Sequence, residues 1–378
     1  MSDAEKELSR LRDAIDAVDD ELLELIRKRA RLAGEVGEHK QDRGNAPFYV
    51  PSREASIIRR ILARNRDAAA SSHETRIPDE AIHGIYREII GACLALEHPM
   101  TIAYLGPEGT FSHTAASRQF GSTAHYTPCT NFAKVFEEVE SGRATYGVVP
   151  VENAFEGAVG QTLDLLANID SNIFVCAEIQ LSIHHQLLTR AQDFQSIKTI
   201  YSHPQPLAQC QHWIAEHCPA ATLVETDSTA RAAIIVGEAD AGHAAGVAAI
   251  SPIEVAERAE VPVLATNIED HHDNTTRFFV IGQHDSPPSG EDKTALVMSI
   301  RDVPGALHKL IEPFAGRGIG LTRIESRPSK RKLWEYVFFA DIQGHRDDAD
   351  VSAAMAEIEA MDGSFIKVLG SYPVSKTL

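Results

Sequence analysis

The stretch Asp273-Asn274-Thr275-Thr276-Arg277-Phe278-Phe279 places short polar side chains and one cation directly before an apolar run. Asn and Thr bond readily to nearby backbone, so residues 273–277 are expected to form a loop. The apolar residues 278–281 then predict a buried strand that ends at Gly282. A polar loop carried by a buried strand can hold hydrogen-bond donors in a cleft, but a simple turn before a core strand fits the same residues.

The composition bounds the classes of protein to which the chain can belong. Its 378 residues predict two or three domains, and its net charge of −18 argues against nucleic acid or an anionic membrane as a partner. Residues 1–30 contain no apolar segment of the kind found in secretory signals, and no apolar run reaches the ~20 residues of a membrane span. The five cysteines show no CxxC spacing, which favours reduced thiols in a cytoplasmic protein.

The first predicted domain, residues 1–98, is all-helical. Residues 4–41 contain no proline and carry apolar residues at spacings of three, four and seven, which predicts one long amphipathic helix. Helices over residues 52–70 and 78–97 follow. A first helix of ~57 Å cannot be covered by two shorter ones, so we expect an intertwined helical dimer.

Charged residues on the first helix form two groups. Arg29 and Lys40 lie eleven positions apart and therefore on one face, whereas Arg12 is turned away from them. Arg12 is thus expected to point into a pocket that a partner chain supplies. Solvated surface charges are the alternative for each of these residues.

This pattern resembles the all-helical chorismate mutases over nearly all of residues 1–98. The resemblance rests on Leu11-Arg12, Asp19, Leu22-Leu23, Arg29, Gly37, Lys40 and Arg53-Glu54. It implies that arginines hold the substrate carboxylates, that two donors face the breaking ether oxygen and that a carboxylate bonds the substrate hydroxyl. The resemblance assigns the carboxylates to Arg29 and Arg53, with Arg12 reaching in from the other chain. It assigns the ether oxygen to Lys40 and Glu97, and the hydroxyl to Glu54.

The sequence departs from that family at two positions, and a third residue can play its part only in one protonation state. Val50 stands where relatives often carry a polar residue, and Cys93 stands at a substrate-contact position where some relatives carry Ser. Glu97 must be protonated to donate a hydrogen bond. We therefore expect mutase activity to fall as the pH rises, and Glu97→Gln to relieve that fall.

Residues 101–283 alternate between predicted strands and helices. Strands over 101–105, 145–151, 199–202 and 222–225 alternate with helices over 112–120, 161–167, from 204 and over 228–236, with Ser112 expected to cap its helix. Such alternation is typical of parallel sheets that bind ligands at the carboxyl ends of their strands. The length predicts two α/β lobes around a cleft.

Four motifs in this region resemble prephenate dehydratases: residues 106–112 (GPEGTFS), 149–153 (VPVEN), 202–206 (SHPQP) and 274–278 (NTTRF). The resemblance implies that Thr276 protonates the departing ring hydroxyl, with neighbouring polar contacts and groups that hold carboxylates. The contacts are Glu152, Asn153, Ser202, Gln209 and Thr275, and the carboxylate-holding groups are Arg277 and the backbone amides of Thr110 to Ser112. Arg277 as a structural ion-pair partner stays open.

The sequence indicates neither a metal nor a cofactor. His271-His272 has no partner ligands at metal-binding spacing, so an exposed polar pair is favoured. A GxGxxG fingerprint and a phosphate-binding P-loop are both missing from the sequence, and no nucleotide is expected.

After a predicted linker at residues 284–293 (HDSPPSGEDK), the pattern is that of a ferredoxin-like βαββαβ unit. Its elements are predicted at 295–300, 305–314, 321–326, 334–342, 349–361 and 365–369. Residues 303–307 (VPGAL) and 321–328 (LTRIESRP) resemble ACT regulatory domains, which bind phenylalanine between two such domains. The positions carried over are Gly305, Ala306, Leu307, Glu325, Ser326 and Arg327, and a module that only dimerises is the alternative.

The expected fold is therefore multidomain. It comprises an all-α mutase domain (1–98), a two-lobed α/β dehydratase domain like the periplasmic binding proteins (101–283) and an α+β ACT domain (294–378). This order resembles the bifunctional P-proteins of phenylalanine biosynthesis, which convert chorismate to prephenate and prephenate to phenylpyruvate and which phenylalanine inhibits. A non-catalytic amino-acid sensor is the alternative, and a dimer and a tetramer both remain open.

Overall fold

The structure is a computed structural model that describes residues 2–42, 49–71, 77–168, 171–240, 244–328 and 336–375. The chain divides into two compact units, the first holding residues 1–50, 57–100 and 120–125 and the second holding the remainder. Within the described residues, no helix combines the length and the apolar character needed to cross a membrane.

Long helices build the first unit, as predicted. Helix α1 spans Asp3–Asp42, α2 spans Pro51–Ser71 and α3 spans Asp79–Glu97. The predicted helix breakers Gly44, Asn45 and Pro47 lie outside the described residues. Helices α1 and α3 approach closely at Gly37, where a Cβ atom would lie 3.2 Å from the Glu97 side chain. A larger residue at this position would push the two helices apart.

The predicted apolar face of α1 is largely exposed in the single chain. Its exposed fractions range from 47% at Leu11 to 63% at Leu25. The face comprises Leu8, Leu11, Ile15, Val18, Leu22, Leu25, Leu32 and Val36. A stripe of this length without cover is typical of a surface that another chain buries.

Two sheets and a smaller domain build the second unit. The strands are β1 Thr101–Leu105, β2 His125–Cys129, β3 Tyr146–Asn153, β4 Gly157–Ala158, β5 Phe174–Ser182, β6 Gln186–Thr189, β7 Thr199–Ser202, β8 Thr222–Glu225, β9 Val247–Ser251, β10 Val263–Ala265 and β11 Thr275–Gly282. The helices are α4 Phe111–Phe120, α5 Phe132–Glu140, α6 Gly160–Leu166, α7 Pro204–Gln209, α8 Gln211–His217, α9 Thr229–Gly237 and α10 Glu254–Arg258. The first lobe has strand order β2-β1-β3-β11-β5 with β4 beside β3, and the second lobe has order β10-β6-β9-β7-β8.

The expectation of parallel sheets is wrong for both lobes. Strand β1 is parallel to β3, but β11 runs antiparallel to both β3 and β5. In the second lobe, β7 is parallel to β8 and β9, whereas β6 is antiparallel to β9 and β10. Parallel neighbours need a crossover connection, usually a helix. Strand β11 instead returns to the first lobe from the second, so it enters its sheet in the opposite direction.

The expected loop over residues 273–277 is also partly wrong, because β11 already begins at Thr275. Thr276 pairs with Asn153 of β3 on one side and with Leu181 of β5 on the other. Threonine is β-branched and suits a strand, and two flanking strands satisfy the backbone that a loop would leave to side chains. The polar residues are therefore held by the sheet itself.

The last part of the chain has the predicted ferredoxin-like order. It comprises β12 Asp292–Ser299, α11 Ala306–Ala315, β13 Leu321–Pro328, β14 Tyr336–Gln343, α12 Ala349–Glu359 and β15 Phe365–Pro373, with strand order β13-β14-β12-β15. The predicted strand start at residue 334 lies outside the described residues. One face of this sheet carries α11 and α12 over a shared apolar core.

The other face of the ACT sheet packs against the first lobe. Phe279 of β11 and Tyr372 of β15 belong to one buried cluster, with ring centroids 5.6 Å apart. A Cβ atom at Gly370 would lie 2.1 Å from the Val175 carbonyl oxygen of β5, so only glycine allows this approach.

The predicted linker at 284–293 does not behave as a loose tether. Its last two residues begin β12, Ser286 is buried and the Asp285 carboxylate accepts a 2.7 Å hydrogen bond from Arg346. The polar residues that indicated a linker are here satisfied by the ACT domain.

Candidate active sites

A cavity of about 470 Å³ lies between the two lobes of the second unit. Five of the residues predicted for the dehydratase site line it: Thr110, Ser112, Asn153, Gln209 and Thr276. They come from the start of α4 and the residue before it, and from β3, α7 and β11, so both lobes contribute. A cleft of this size suits one small organic molecule.

Thr276 sits at the centre of a hydrogen-bond network whose directions are fixed. The Asn153 side-chain oxygen accepts from the backbone N–H groups of Phe155 at 3.0 Å and Glu156 at 3.2 Å. Because these backbone groups can only donate, the other end of the Asn153 amide must be its NH₂ group. That group donates to the Asn274 Oδ1 atom and to the Thr276 Oγ1 atom, each at 2.9 Å. The Thr276 oxygen is therefore an acceptor from Asn153, and its own proton points elsewhere.

The sequence reasoning missed His185, which also lines the cavity. His185 is fully buried, and its Nε2 atom lies 2.7 Å from the Gln209 Oε1 atom. Burial lowers the pKa of His185, because the charged imidazolium is poorly solvated there. The Gln209 Nε2 atom in turn lies 3.4 Å from Glu156 Oε1, which links the two lobes across the cleft. A paired His184-His185 between two apolar strands was the available signal, and the sequence reasoning considered His271-His272 instead.

Helix α4 begins beside the cavity, but Ser112 is not its cap. The helix starts at Phe111, and the Thr110 Oγ1 atom accepts from the backbone N–H of His113 at 3.4 Å. Thr110 also donates to the backbone oxygens of Leu105 and Pro107. The prediction failed by two residues because either hydroxyl fits the sequence pattern. The backbone N–H groups of Phe111 and Ser112 in the first turn are well placed to hold an anion.

Four residues predicted for the dehydratase site do not line the cavity. Ser202 donates to the Ile250 carbonyl oxygen at 2.7 Å and is fully buried, so its hydroxyl is structural. Thr275 and Arg277 flank Thr276 on a strand, where successive side chains point to opposite faces. Glu152 directly precedes Asn153 on β3, so its side chain likewise points to the face opposite that of its cavity-lining neighbour.

Arg277 faces the ACT domain. Its Nε atom donates to Glu178 at 2.8 Å, its Nη2 atom donates to the Tyr372 hydroxyl at 2.8 Å, and its Nη1 atom donates to Asp341. All three nitrogens are thus engaged on the side away from the cavity. Of the two roles considered for Arg277, this geometry supports the structural ion pair.

In the first unit, α1 and α3 bring together three residues predicted for the mutase site. Lys40 and Arg29 are close enough to Glu97 to affect its ionisation, and Arg29 donates to the Ile89 carbonyl oxygen at 3.4 Å. Burial raises the pKa of Glu97, and this outweighs the opposing effect of Lys40 and Arg29. Its Oε2 atom is buried and finds no hydrogen-bond partner in the part of the chain that the structure describes. A carboxyl group in this setting retains its proton to a higher pH than an exposed one.

The remaining mutase residues are spread over other positions. Arg12 is exposed on α1, and Cys93 is buried on α3. Arg53 and Glu54 lie in the first turn of α2 within the second unit, where Arg53 is exposed and Glu54 is buried.

The residues predicted to bind an effector lie on two elements of the ACT domain. Gly305 precedes α11 with φ of 84°, a conformation that favours glycine, and Ala306 and Leu307 begin the helix. Glu325, Ser326 and Arg327 lie on the edge strand β13. The Arg327 guanidinium binds the Asp164 carboxylate of α6 through two contacts of 3.1 and 3.2 Å.

Among the described residues, no group of three or more His, Cys, Asp and Glu side chains is arranged to hold a metal ion. His271 and His272 are exposed, as expected for a polar pair.

Comparison with known proteins covers the whole chain. Three family profiles match: Chorismate mutase type II at residues 11–98, Prephenate dehydratase at 102–286 and ACT domain at 294–360. A bifunctional chorismate mutase/prephenate dehydratase of Aquifex aeolicus is 44% identical over 368 residues, covering 97% of this chain and 98% of that protein. The Pseudomonas aeruginosa protein of the same name is 42% identical over 379 residues, covering 99% of each chain. The solved prephenate dehydratase of Arthrobacter aurescens in complex with L-Phe is 36% identical with a TM-score of 0.65, covering 72% of this chain and 90% of that one.

Proposed function

Because the chain belongs to the family of bifunctional chorismate mutase/prephenate dehydratases, we propose how its own residues divide the two reactions. The enzyme rearranges chorismate to prephenate and converts prephenate to phenylpyruvate, and an ACT domain regulates it. Helices α1 and α3 carry the first reaction, and the cleft between the two α/β lobes carries the second.

In the dehydratase reaction, Thr276 donates its proton to the departing ring hydroxyl. The carbon–oxygen bond breaks and water leaves, while the bond to the ring carboxylate breaks and its electron pair completes the aromatic ring as carbon dioxide departs. The carrying observation is the fixed direction of the Asn153 amide, which leaves the Thr276 proton free to point at a ligand. Because the ring becomes aromatic, a weak hydroxyl donor suffices.

The other groups of the cleft hold the substrate. The first-turn amides of α4 at Thr110 to Ser112 bind a carboxylate through the positive end of the helix. Gln209 supplies a polar contact from the second lobe, oriented by its hydrogen bond to neutral His185. Glu152, Ser202, Thr275 and Arg277 support the site through the protein without touching prephenate.

In the mutase reaction, protein donors meet the charge that grows on the ether oxygen. Lys40 and protonated Glu97 supply these donors, and Arg29 orients a substrate carboxylate. Arg53, Glu54 and Cys93 complete the site on the strength of the family resemblance. A unimolecular rearrangement needs no nucleophile, so a compact substrate conformer and well-placed donors account for the catalysis.

A second copy of this chain covers the exposed apolar face of α1. The length and apolar character of that face support this partner, and Arg12 on the same helix then reaches the partner's mutase site. Ile15→Asp should dissociate the dimer in sedimentation analysis and abolish mutase activity while dehydratase activity persists. An Ile15→Asp protein that sediments as the wild type would contradict the assignment.

Phenylalanine is the effector, and it binds at Gly305, Ala306, Leu307, Glu325, Ser326 and Arg327 between two ACT domains. The L-Phe complex of the Arthrobacter aurescens dehydratase supports this choice of ligand. The enzyme resides in the cytoplasm, in keeping with five buried cysteines that form no disulfide.

One assay separates this function from that of an amino-acid sensor. The purified protein is given chorismate and then prephenate, with and without phenylalanine, and the loss of chorismate and the formation of phenylpyruvate are followed by absorbance. The enzyme should turn over both substrates, and phenylalanine should slow the second reaction. Binding of phenylalanine without turnover of either substrate would establish a sensor.

A further inference from the structure

Four charged residues meet where the dehydratase sheet contacts the ACT sheet. Arg277 and Glu152 are cross-strand partners on β11 and β3, and Arg323 and Asp341 are cross-strand partners on β13 and β14. Each domain therefore contributes one arginine and one carboxylate at directly opposite positions. We refer to these four residues as the junction cluster.

The ion pairs of the junction cluster cross between the domains. Arg277 of the dehydratase sheet binds Asp341 of the ACT sheet, and the Arg323 Nε atom of the ACT sheet lies 3.1 Å from the Glu152 Oε2 atom. A third ion pair closes the cluster, since the Arg277 Nη1 atom lies 3.8 Å from the same Glu152 oxygen. The two sheets are thus held in one register by reciprocal charge pairs.

The two arginines differ in how well they are satisfied. Arg277 has a partner for every nitrogen, through Glu178, Asp341 and Tyr372. Arg323 is equally buried, with 8% of its side chain exposed, yet its Nε and Nη2 atoms make no hydrogen bond within the described chain. A buried charge with one off-axis ion pair adds little stability and rearranges more easily than a fully bonded one. Within the junction cluster, the Arg277 side chain is therefore held firmly, and the Arg323 side chain is the one that can change position.

Glu152, the partner of Arg323, lies one residue from the Asn153–Thr276 pair. Glu152 directly precedes Asn153, and Thr276 directly precedes Arg277, so the register position next to Glu152–Arg277 is Asn153–Thr276. The register of β3 and β11 shifts just beyond Arg277, so the regular ladder is interrupted next to this pair. Arg323 also lies on the same strand as Glu325, Ser326 and Arg327, two to four residues away.

We propose that Arg323 is a positioning residue of the dehydratase reaction: through Glu152 it sets the hydrogen bond from Asn153 to Thr276, and phenylalanine at β13 inhibits by moving it. The proposal rests on the function assigned above to Thr276 and to the ACT domain. No substrate contact by Arg323 is needed, because a shift of Glu152 changes where the Asn153 amide places the Thr276 hydroxyl.

The test compares two arginines of the ACT domain. Arg323→Gln removes the pair with Glu152, and the matched control Arg346→Gln removes the 2.7 Å pair with Asp285, which lies outside both β3 and β11. Arg323→Gln should lower the dehydratase kcat by on the order of tenfold, with little change in KM, and should weaken inhibition by phenylalanine by a similar factor. Arg323→Lys should recover part of both effects, whereas Arg346→Gln should retain the wild-type kcat and the wild-type inhibition.

A double-mutant cycle asks whether Arg323 acts through Glu152. Glu152→Gln combined with Arg323→Gln should be no worse than either single variant, because both remove the same contact. Additive losses of kcat, or Arg323→Gln with unchanged kcat and inhibition, would overturn the proposal. Mutase activity of each variant reports that the first unit remains folded.

Hydrogen exchange gives a readout that does not depend on turnover. Amides of residues 151–154 and 274–278 should exchange faster in Arg323→Gln than in the wild type, and Arg346→Gln should leave them unchanged. Unaltered exchange in Arg323→Gln refutes the positioning role even if the wild type proves inactive. An inactive wild type with altered exchange in the variant refutes the assigned function and leaves the structural coupling standing.

Discussion

Replacing Thr276 by valine tests the central chemical assignment, because valine keeps the shape of threonine and removes only the hydroxyl. Within the residues that the structure describes, that hydroxyl makes one hydrogen bond, the 2.9 Å contact from the Asn153 amide. The same amide keeps its second acceptor, the Asn274 Oδ1 atom at 2.9 Å. The substitution therefore removes one contact and leaves the surrounding network in place.

The expected losses of stability and of activity differ in size. One lost hydrogen bond beside a solvent-accessible cavity should cost about 1 kcal/mol of the free energy of unfolding. Loss of the proton donor should lower kcat by about 10²- to 10⁴-fold, which corresponds to about 2.7 to 5.4 kcal/mol in the activation free energy. An activity loss several times larger than the stability loss is the signature of a catalytic hydroxyl.

The assay is phenylpyruvate formation from prephenate, with mutase activity measured on the same sample. Thr276→Ser restores a hydroxyl and should recover kcat to within about tenfold of the wild type. Mutase turnover should be unchanged, and Lys40→Ala should lose mutase turnover but keep dehydratase turnover, because Lys40 and Thr276 lie in different compact units. A valine variant that keeps kcat within about tenfold of the wild type would refute proton donation by Thr276. Joint loss of both activities in either variant would refute the two-site assignment.

Three further predictions follow from particular contacts. The pKa of Glu97 is raised, so its protonated, hydrogen-bond-donating form persists to a higher pH. Mutase activity should therefore fall as the pH rises through that pKa. The pH–rate profile of Glu97→Gln should be flat over the same range. Asn153→Asp should lower the dehydratase kcat by about 10²-fold, because the carboxylate still accepts from the backbone but captures the Thr276 proton. It should also lower the melting temperature, because a carboxylate cannot donate the buried hydrogen bond to the Asn274 Oδ1 atom. Gly370→Ala should lower the free energy of unfolding by roughly 3 kcal/mol in a denaturant titration, because its Cβ atom would meet Val175 backbone at 2.1 Å.

The sequence predicted most elements of the fold because hydrophobic spacing is a local property. The proline-free run over residues 4–41 gave α1 to within one residue at each end. Strand direction, in contrast, depends on which elements become neighbours, and so the antiparallel entry of β11 could not be read from strand–helix alternation. The start of β11 was misjudged for the same reason, since the two strands that flank Thr275 are distant in sequence.

The candidate sites divide in a similar way. Thr276, Asn153 and the start of α4 were found by motif, Gln209 was carried over from the family resemblance, and all of them line one cavity. His185 was missed because a buried histidine carries no periodic signal, and its contact with Gln209 joins two separate elements. Arg277 was assigned two roles because the sequence does not say which face of the strand meets the ACT domain.

Strand alternation explains how one short motif serves both catalysis and structure. On β11, Thr276 faces the cavity and Arg277 faces the ACT sheet, because successive side chains of a strand point to opposite sides. The adjacent strand repeats the arrangement, with Asn153 toward Thr276 and Glu152 toward Arg323. Two neighbouring dipeptides therefore carry a hydrogen bond on one face and ion pairs on the other. A shift of side chains in the ACT sheet can therefore affect the reacting hydroxyl of Thr276, because only one sheet separates them.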